Sequence, residues 1–506
     1  MANTVVVSRS HLIYGVCLPL AVLVGYLLAE PLESGSIAVV VMVLSVLSIP
    51  LLMRWHHPLL IFSCNALIYP MFVPGRPSFC MIMACVSFFF LMLNRSMGQH
   101  VPFFRARQVA LSLIAMAVVT LATAYATGGI GFALFGSANA GGKRYVGIIT
   151  AIFLYFGLST ITISRKYARL AAAVFFLSAL TGLVGYLAAA GGSGFYFLVY
   201  LFPIEGAVDE VSGPGVELMT SSFVRLGSLT GAAVGLFCFV LARYGTRGVL
   251  DLARPWRLAF LVLAVLGNLY SGFRSNMISC ALTFALMFCL EGLCRTRYFL
   301  ALALSMILAC AITVPYAQEL PLVIQRTLAF LPLNIDPMVR MNAEDSTNWR
   351  LEMWQEVLPS VPKYLIKGKG YVVDPSDLYL AAQAAKGGYG RSYEGAMIAG
   401  DYHSGPLSVI VPFGLFGAFS FLWFLFASTK ALYQNFRFGD PSLHTINTFL
   451  FAYFIVRIIT FFFVFGSLYS DLAVFAGLVG LNVSLNGGVA NAKEDSTELE
   501  GLEAAS

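Results

Sequence analysis

The chain has 506 residues, of which 59% are hydrophobic and only 11% are charged. A soluble domain of this length carries far more charge, so the composition excludes an ordinary soluble enzyme and indicates that the lipid bilayer is the solvent. The net charge is +6, yet charge of this kind, spread along a hydrophobic chain, predicts no nucleic-acid partner. The nine cysteines form no CxxC pair and no cysteine–histidine ligand spacing, so we expect no disulfide framework, no metal site and no cofactor.

Apolar runs of about 15 to 22 residues recur along nearly the whole sequence, close to the length that crosses a hydrocarbon core as an α-helix. They predict an all-α polytopic membrane protein with about 12 to 14 transmembrane helices, and our own count is about 14. The predicted spans are Leu12–Ala29, Ile37–Met53, Leu59–Val73, Phe79–Leu93, Val109–Thr127, Val146–Ser164, Leu170–Ala190, Phe223–Ala242, Leu258–Tyr270, Asn276–Leu290, Tyr298–Tyr316, Pro406–Ala427, Ile446–Phe465 and Leu472–Leu485.

The short connections between these spans alternate in charge. With the N-terminus inside, the cytoplasmic connections are rich in basic residues, whereas the opposite connections are nearly bare and the first, EPLESG, is acidic. Because positive charge is retained on the cytoplasmic side, both termini are predicted to be cytoplasmic. The chain then divides into N-terminal helices (1–222), central helices (223–317), a large extracytoplasmic loop (318–403), C-terminal helices (404–486) and a disordered acidic tail (487–506).

The large loop contains a helical pattern of its own in NWRLEMWQEVLPSVPKYLIKGKGY. Apolar residues recur there at helical spacing: Leu351, Trp354, Leu358 and Val361. This spacing predicts an amphipathic helix that lies on the membrane surface. We expect Pro362 to end the helix, and Gly368 and Gly370 to allow a tight return of the chain.

Two arginines lie where the topology rule disfavours positive charge. Arg225 is in SSFVRLGSLTG at the outer start of a helix, and Arg274 is in the tight external turn LYSGFRSNMIS. A guanidinium is a planar fork of donors that matches phosphate oxygens, so both are candidates for an anion clamp; the alternative is that each reaches to lipid headgroups. Ser275 is predicted to cap the following helix. Three other external cations receive no role: Arg76, Lys143 and Arg144.

Of the six histidines, only His403 is predicted to face outward, where the long loop re-enters the membrane. An imidazole suits proton abstraction at neutral pH, so His403 is a candidate general base. We expect Asp401 to orient the ring and the adjacent Tyr402 to support it. The alternative is a histidine that simply lies at the membrane interface.

Taken in order, these segments resemble the O-antigen ligase/polymerase superfamily, bacterial membrane proteins that join lipid-linked glycans outside the cytoplasmic membrane. HSGPLSVIVPFGLFG is similar to the family signature, a histidine followed by an apolar helix with a Gly-x-x-Gly pair, here Gly414 and Gly417. SGFRSNMIS, FVRLGSLTG and NWRLEMWQEVLP…GKGY resemble its other motifs, and together the matches span Phe223–Phe421. The family often has an acidic residue before the first glycine, where this chain has Pro412-Phe413, so no role for that carboxylate is carried over.

The resemblance implies a GT-C-like glycosyltransferase of the bacterial inner membrane, with its active site on the extracytoplasmic face. His403 would be the base, Arg225 and Arg274 the diphosphate clamp, and Arg350 a further group that positions phosphate or sugar. The implied partners are an undecaprenyl-diphosphate-linked oligosaccharide donor, a glycan acceptor, membrane lipids, and export or chain-length machinery. Transfer would be metal-independent and would invert the anomeric carbon.

Three functions stay open at this point. We favour polymerisation of exopolysaccharide or O-antigen repeat units, because the long loop has room for two lipid-linked chains. The second is an O-antigen ligase that transfers the glycan to lipid A-core. The third is a polysaccharide flippase or transporter, which Arg457 inside FAYFIVRIITFF keeps open unless it merely pairs with Asp471. A transporter should have related halves and polar groups near mid-membrane, whereas here they concentrate at the outer face.

Overall fold

The computed structural model describes residues 19, 21–22, 25, 34–71, 73, 75–127, 142–204, 226–372, 396–397 and 400–490. These residues are helical or irregular and include no strand, which agrees with the predicted all-α class. The first predicted span, Leu12–Ala29, falls largely outside them, and Arg225 falls outside them altogether. Residues Met1–His57 cluster as one unit and Pro58–Ser506 as a second, and every candidate site residue belongs to the second.

The helices are numbered here in chain order. Their bounds are α1 Ser34–Ser63, α2 Phe79–Ser96, α3 Arg107–Thr127, α4 Gly142–Ser159, α5 Arg165–Leu177, α6 Gly182–Ala190, α7 Gly227–Val249, α8 Pro255–Tyr270, α9 Arg274–Leu290, α10 Arg297–Thr313, α11 Leu322–Leu328, α12 Pro337–Val357, α13 Val361–Tyr364, α14 Gly405–Phe438, α15 His444–Phe463 and α16 Leu468–Asn486.

Within the described residues, seven helical stretches are long and apolar enough to cross a membrane: α2, α3, α5 with α6, α7, α14, α15 with the turn before it, and α16. Three shorter apolar helices, α8 to α10, lie between them in the chain. The protein is therefore a multi-pass membrane protein. The count of about 14 spans, the orientation and the GT-C-like architecture remain predictions.

The sequence interpretation is wrong at the second and third predicted spans. Helix α1 runs without a break through Arg54, where a cytoplasmic connection was expected, and ends at Ser63. The following residues, 64–71, are turns and irregular chain. Hydropathy marks where polar residues interrupt an apolar run, but arginine and tryptophan are acceptable helix residues, so the interruption alone does not end a helix.

The core of the second unit is built around α16. Of the seven candidate spans it is the most enclosed, because 78% of the residues in its most apolar 18-residue stretch are buried. It packs along α4, while α14 packs along α3 and α15. The beginnings of α14 and α16 are joined by a hydrogen bond from the Leu468 amide to Ser408 Oγ at 3.0 Å. The end of the bundle where α14 and α16 begin therefore also carries the loop that contains His403.

A network of buried amides ties the opposite ends of the same helices together. Asn435 Nδ2 donates to Asn482 Oδ1 at 2.7 Å, and Asn447 accepts from both Asn482 and Asn486. Polar side chains inside an apolar bundle stabilise it only when their donors and acceptors are paired with each other. This network fixes the relative register of α14, α15 and α16.

The helix predicted in the large loop is present as α12. Two members of its expected apolar stripe, Trp354 and Val361, pack against a buried cluster, and the helix begins earlier than predicted. Asp336 caps it by accepting from the Met338 amide at 2.7 Å. Leu351 and Leu358, two members of the expected apolar stripe, are 46% and 56% exposed. The reason is tertiary packing, because Met353 and Val357 pack into a cluster with residues of α14. Whether the exposed leucines rest on the membrane stays a prediction.

The chain after α12 docks into a kink of α14. Gly414 interrupts α14 with a φ of +63°, and a Cβ there would lie 2.5 Å from the carbonyl oxygen of Leu365. The kink frees the carbonyls of Val411 and Pro412, which accept from the amides of Lys369 and Gly370 at 2.8 and 2.9 Å. The tight return at Gly368 and Gly370 and the kink at Gly414 therefore contact each other directly.

The tight return is confirmed, since Gly368 and Gly370 have φ values of +75° and +68°. The role expected for Pro362 is wrong. The α-helix ends at Val357 and gives way to a 3₁₀ turn at Leu358–Ser360, and Pro362 lies inside the short helix α13. Proline is tolerated there because the first turn of a helix leaves its amides without partners.

Candidate active site

His403 lies at the end of the large loop, two residues before α14 begins. Its φ is +50°, a left-handed conformation that costs a non-glycine residue about 1–3 kcal/mol and persists only where surrounding contacts hold it. Nδ1 lies 3.1 Å from the backbone carbonyl oxygen of Asp401. A carbonyl only accepts, so Nδ1 carries the proton and the lone pair of the neutral ring is on Nε2. The imidazole is thus set to accept a proton through Nε2.

Two aromatic rings hold the imidazole edge-on. Trp349 of α12 packs against it with ring centroids 5.1 Å apart, and Phe465 of the α15–α16 turn packs on it at 4.9 Å. The His403 side chain is nevertheless 25% exposed, so a substrate can reach it. Contacts from two separate elements therefore fix the ring while leaving it accessible.

The residues before His403 tie the loop to α12. Tyr402 is only 4% exposed, and its carbonyl accepts from Trp354 Nε1 at 2.8 Å. The Asp401 carboxylate lies beside the imidazole, with Oδ1 3.5 Å from Nδ1. That distance is longer than a good hydrogen bond, and Nδ1 bonds to the Asp401 backbone instead. The expected orienting role of Asp401 thus falls mainly to its carbonyl.

Arg274 is the first residue of α9, and its side chain points to α12. Nη2 donates to the carbonyl oxygen of Ala343 at 3.1 Å. The N-cap of α9 is Phe273, which has no side-chain acceptor, so the expectation that Ser275 caps this helix is wrong. Arg274 lines a pocket of about 190 Å³ together with Ala329, Arg340, Ala343, Glu344, Thr347 and Asn348.

Helix α12 brings the predicted residues together. Ala343, which binds Arg274, and Trp349, which packs on His403, are separated by about 9 Å of helix rise. Arg350 follows Trp349 and places its guanidinium 5.9 Å from the centre of the Phe465 ring, the same ring that packs on His403. Arg274, Arg350 and His403 therefore gather along less than two turns of one helix, while Arg225 lies outside the described residues.

Arg340 is a site residue that sequence reasoning missed. It lines the pocket with Arg274 and steadies its guanidinium by donating from Nη2 to the Leu333 carbonyl at 2.6 Å. A second guanidinium makes the pocket a better anion site, although Glu344 on its wall opposes this charge. The available signal was its helical spacing to Thr347, and it went unused because the helix was expected to begin after it.

The intramembrane arginine is paired. Arg457 Nη2 lies 2.5 Å from Asp471 Oδ1, and Asp471 Oδ2 accepts from the Ser467 amide at 2.8 Å. The pair joins α15 to the first turn of α16, beside the turn that carries Phe465. Arg457 therefore has the structural partner that the sequence offered as one of two explanations.

Part of this chain matches a known protein family. Residues 258–422 match the Wzy_C family, described as O-antigen ligase. The matched segment contains Arg274, all of α12 and His403, and it confirms the resemblance to the O-antigen ligase/polymerase superfamily. Comparison with curated proteins gives no match.

Proposed function

We propose that this member of the O-antigen ligase/polymerase superfamily is a glycosyltransferase that moves a glycan from undecaprenyl diphosphate to a sugar hydroxyl, outside the cytoplasmic membrane of a bacterium. The family match supports a ligase- or polymerase-type membrane function. The observation that carries the mechanism is that Arg274 and His403 both contact α12, about 9 Å apart along its axis.

The reaction needs a base for the acceptor and positive charge for the leaving group. His403 Nε2 takes the proton of the acceptor hydroxyl as its oxygen attacks the anomeric carbon. The bond from that carbon to the diphosphate breaks, and its electron pair leaves with undecaprenyl diphosphate. Arg274 and Arg340 stabilise the charge that develops there, with Arg225 expected to join them. Attack opposite the leaving group inverts the anomeric configuration.

Arg350 lies at the His403 end of this site, one residue after Trp349. Its guanidinium lies over the Phe465 ring beside the imidazole, so it can contact the sugar or the phosphate nearest the reacting carbon. Stacking on an aromatic face holds the planar guanidinium beside the candidate base. We assign it to positioning the donor.

We favour polymerisation of exopolysaccharide or O-antigen repeat units, in which the acceptor is a second lipid-linked glycan. Transfer to lipid A-core by an O-antigen ligase is the second candidate, and it is the activity that the family description names. A flippase is disfavoured because Arg457, the residue that argued for it, is paired with Asp471.

The test is release of undecaprenyl diphosphate by the purified full-length protein in liposomes. Lipid-linked glycan from the producing bacterium serves as donor, with either a second lipid-linked glycan or lipid A-core as acceptor, in parallel buffers that contain either EDTA or Mg²⁺. We expect release with one of the two acceptors, and that acceptor decides between polymerase and ligase. No release with either acceptor would refute the transferase assignment, and strict dependence on a divalent cation would refute the arginine clamp.

A further inference from the structure

Arg144, which received no role in the sequence analysis, is a buried cation beside the loop that carries His403. Its side chain lies at the start of α4 and the residue is only 8% exposed. Nη1 has no hydrogen-bond partner among the residues that the structure describes. Burying a guanidinium destabilises the folded protein unless its N–H groups are hydrogen-bonded. The unpaired Nη1 beside this loop therefore points to a ligand that supplies the acceptor.

The two rings around Arg144 position it without neutralising it. The guanidinium lies 4.5 Å from the ring centre of Tyr469 and 5.5 Å from that of Tyr371. Burial raises the pKa of Tyr371, so its hydroxyl stays neutral and supplies no counter-charge. Cation–π contacts hold the plane of the guanidinium while they leave its edge free to donate.

The unpaired Nη1 of Arg144 lies against the loop that carries His403. A Cβ added to Gly400 would lie 3.0 Å from Arg144 Nη1, and the φ of Gly400 is +64°, so only glycine allows this approach without strain. The next residue is Asp401, whose Oδ1 is buried and makes no hydrogen bond within the described chain. An unpaired donor thus lies against Gly400, and the next residue carries an acceptor that lies near the candidate base, with His403 Nδ1 3.5 Å away.

We propose that Arg144 and Asp401 form the subsite for the acceptor sugar, with Arg144 Nη1 donating to a hydroxyl oxygen and Asp401 Oδ1 accepting from a hydroxyl. This rests on the proposed transferase function, and it gives the acceptor a place distinct from the diphosphate pocket on α9 and α12. One sugar ring bears several hydroxyls, so it can present one to His403 Nε2 and its neighbours to this pair.

A hydroxyl fits the pair better than an anion does. An anionic group at Arg144 would be repelled by the Asp401 carboxylate, whereas a hydroxyl both accepts and donates and so satisfies both side chains. Asp471 also interacts electrostatically with Asp401, but its charge is already balanced by Arg457. The subsite is therefore close to neutral and suits an uncharged ring.

Kinetics on the full-length protein test this assignment. The acceptor probe is the oligosaccharide released by mild acid from the producing bacterium's lipid-linked glycan. Arg144→Gln and Asp401→Asn should each raise the acceptor KM about tenfold to a hundredfold, since each removes the charge that strengthens its hydrogen bond to the sugar. The donor KM should stay within about twofold, and Arg144→Gln should leave kcat within the same range. The exposed Arg169, changed to Gln, is the matched control.

Binding of the same oligosaccharide to donor-free protein, measured by calorimetry, separates this proposal from the transferase assignment. Weaker binding by both variants supports the subsite even where no transfer occurs. Equal binding by wild type and variants, or no binding by wild type, overturns it. Tighter binding by Asp401→Asn also overturns it, because that result identifies an anionic ligand. Arg144→Lys, which keeps the charge but not the fork, provides the same comparison if Arg144→Gln fails to fold.

Discussion

The segment that matches the ligase family and the helices outside it contribute differently to the site. The segment, 258–422, carries Arg274, Arg350 and His403, the groups assigned to chemistry. Elements outside it supply Phe465 of the α15–α16 turn, which packs on His403, and Arg144 of α4, which lies against the loop. Of the groups assigned to chemistry, those that the structure describes thus come from one continuous stretch, while the residues that position them come from distant parts of the chain. Substitutions inside the segment should therefore lower activity or donor binding, whereas substitutions outside it should alter stability or the positioning of the reactive groups.

The largest effect is expected inside the segment, from His403→Ala. Loss of a general base should lower kcat by about a hundredfold to ten-thousandfold, while the thermal midpoint and donor binding stay near wild type. The control is His444→Ala, because His444 lies at the start of α15 and stacks on Phe436. The measurement is release of undecaprenyl diphosphate per enzyme. Activity within about tenfold of wild type would end the base assignment.

The next effect lies outside the segment and should be one of stability. Arg457→Met leaves the buried Asp471 without its partner, which typically costs about 3–5 kcal/mol. The double variant Arg457→Met/Asp471→Leu removes both charges and should recover much of that loss, with transfer activity retained. Thermal unfolding in detergent measures the first effect, and the liposome assay the second. A stable double variant with no activity would show that the pair takes part in function.

Much of the site could be predicted because its residues violate local expectations. Two arginines and one histidine are predicted to lie outside the membrane, and this prediction needs the sequence alone, because predicted sidedness follows from the charge of neighbouring loops. The return at Gly368 and Gly370 was also predictable, because glycine marks positions where φ is positive.

What the sequence could not give depends on contacts between distant elements. The buried face of α12 follows from packing on α14, and nothing in its own periodicity distinguishes Met353 from the exposed Leu351. In the sequence Arg144 resembles any other loop cation. Only the structure shows it stacked on two tyrosines that lie more than two hundred residues away in the chain. The same holds for α1, where hydropathy predicted a break that backbone geometry does not make.

A smaller effect is expected from Arg274, back inside the segment. Arg274→Ala removes a guanidinium from the pocket and its bond to the Ala343 carbonyl. Charge-assisted hydrogen bonds of this kind correspond to about tenfold to a hundredfold in affinity, so the donor Kd should rise by that factor. Arg274→Lys should recover only part of it, because an ammonium lacks the planar fork. Arg247→Ala, at an exposed position of α7, is the control. Unchanged donor binding in Arg274→Ala would refute the role of Arg274 in the diphosphate clamp.

The smallest effect is expected from Phe465→Leu, outside the segment and next to the reactive groups. Leucine keeps an apolar wall but loses the edge-on contact with His403 and the stacking under Arg350. Aromatic contacts of this kind contribute about 0.5–1.5 kcal/mol, so kcat should fall by only about threefold to tenfold, with little change in thermal stability. Phe463→Leu, two residues earlier and 84% exposed, should change neither quantity. If Phe465→Leu proved as damaging as His403→Ala, the division between reactive segment and positioning helices would fail at this ring, because a wall residue would then be doing chemistry.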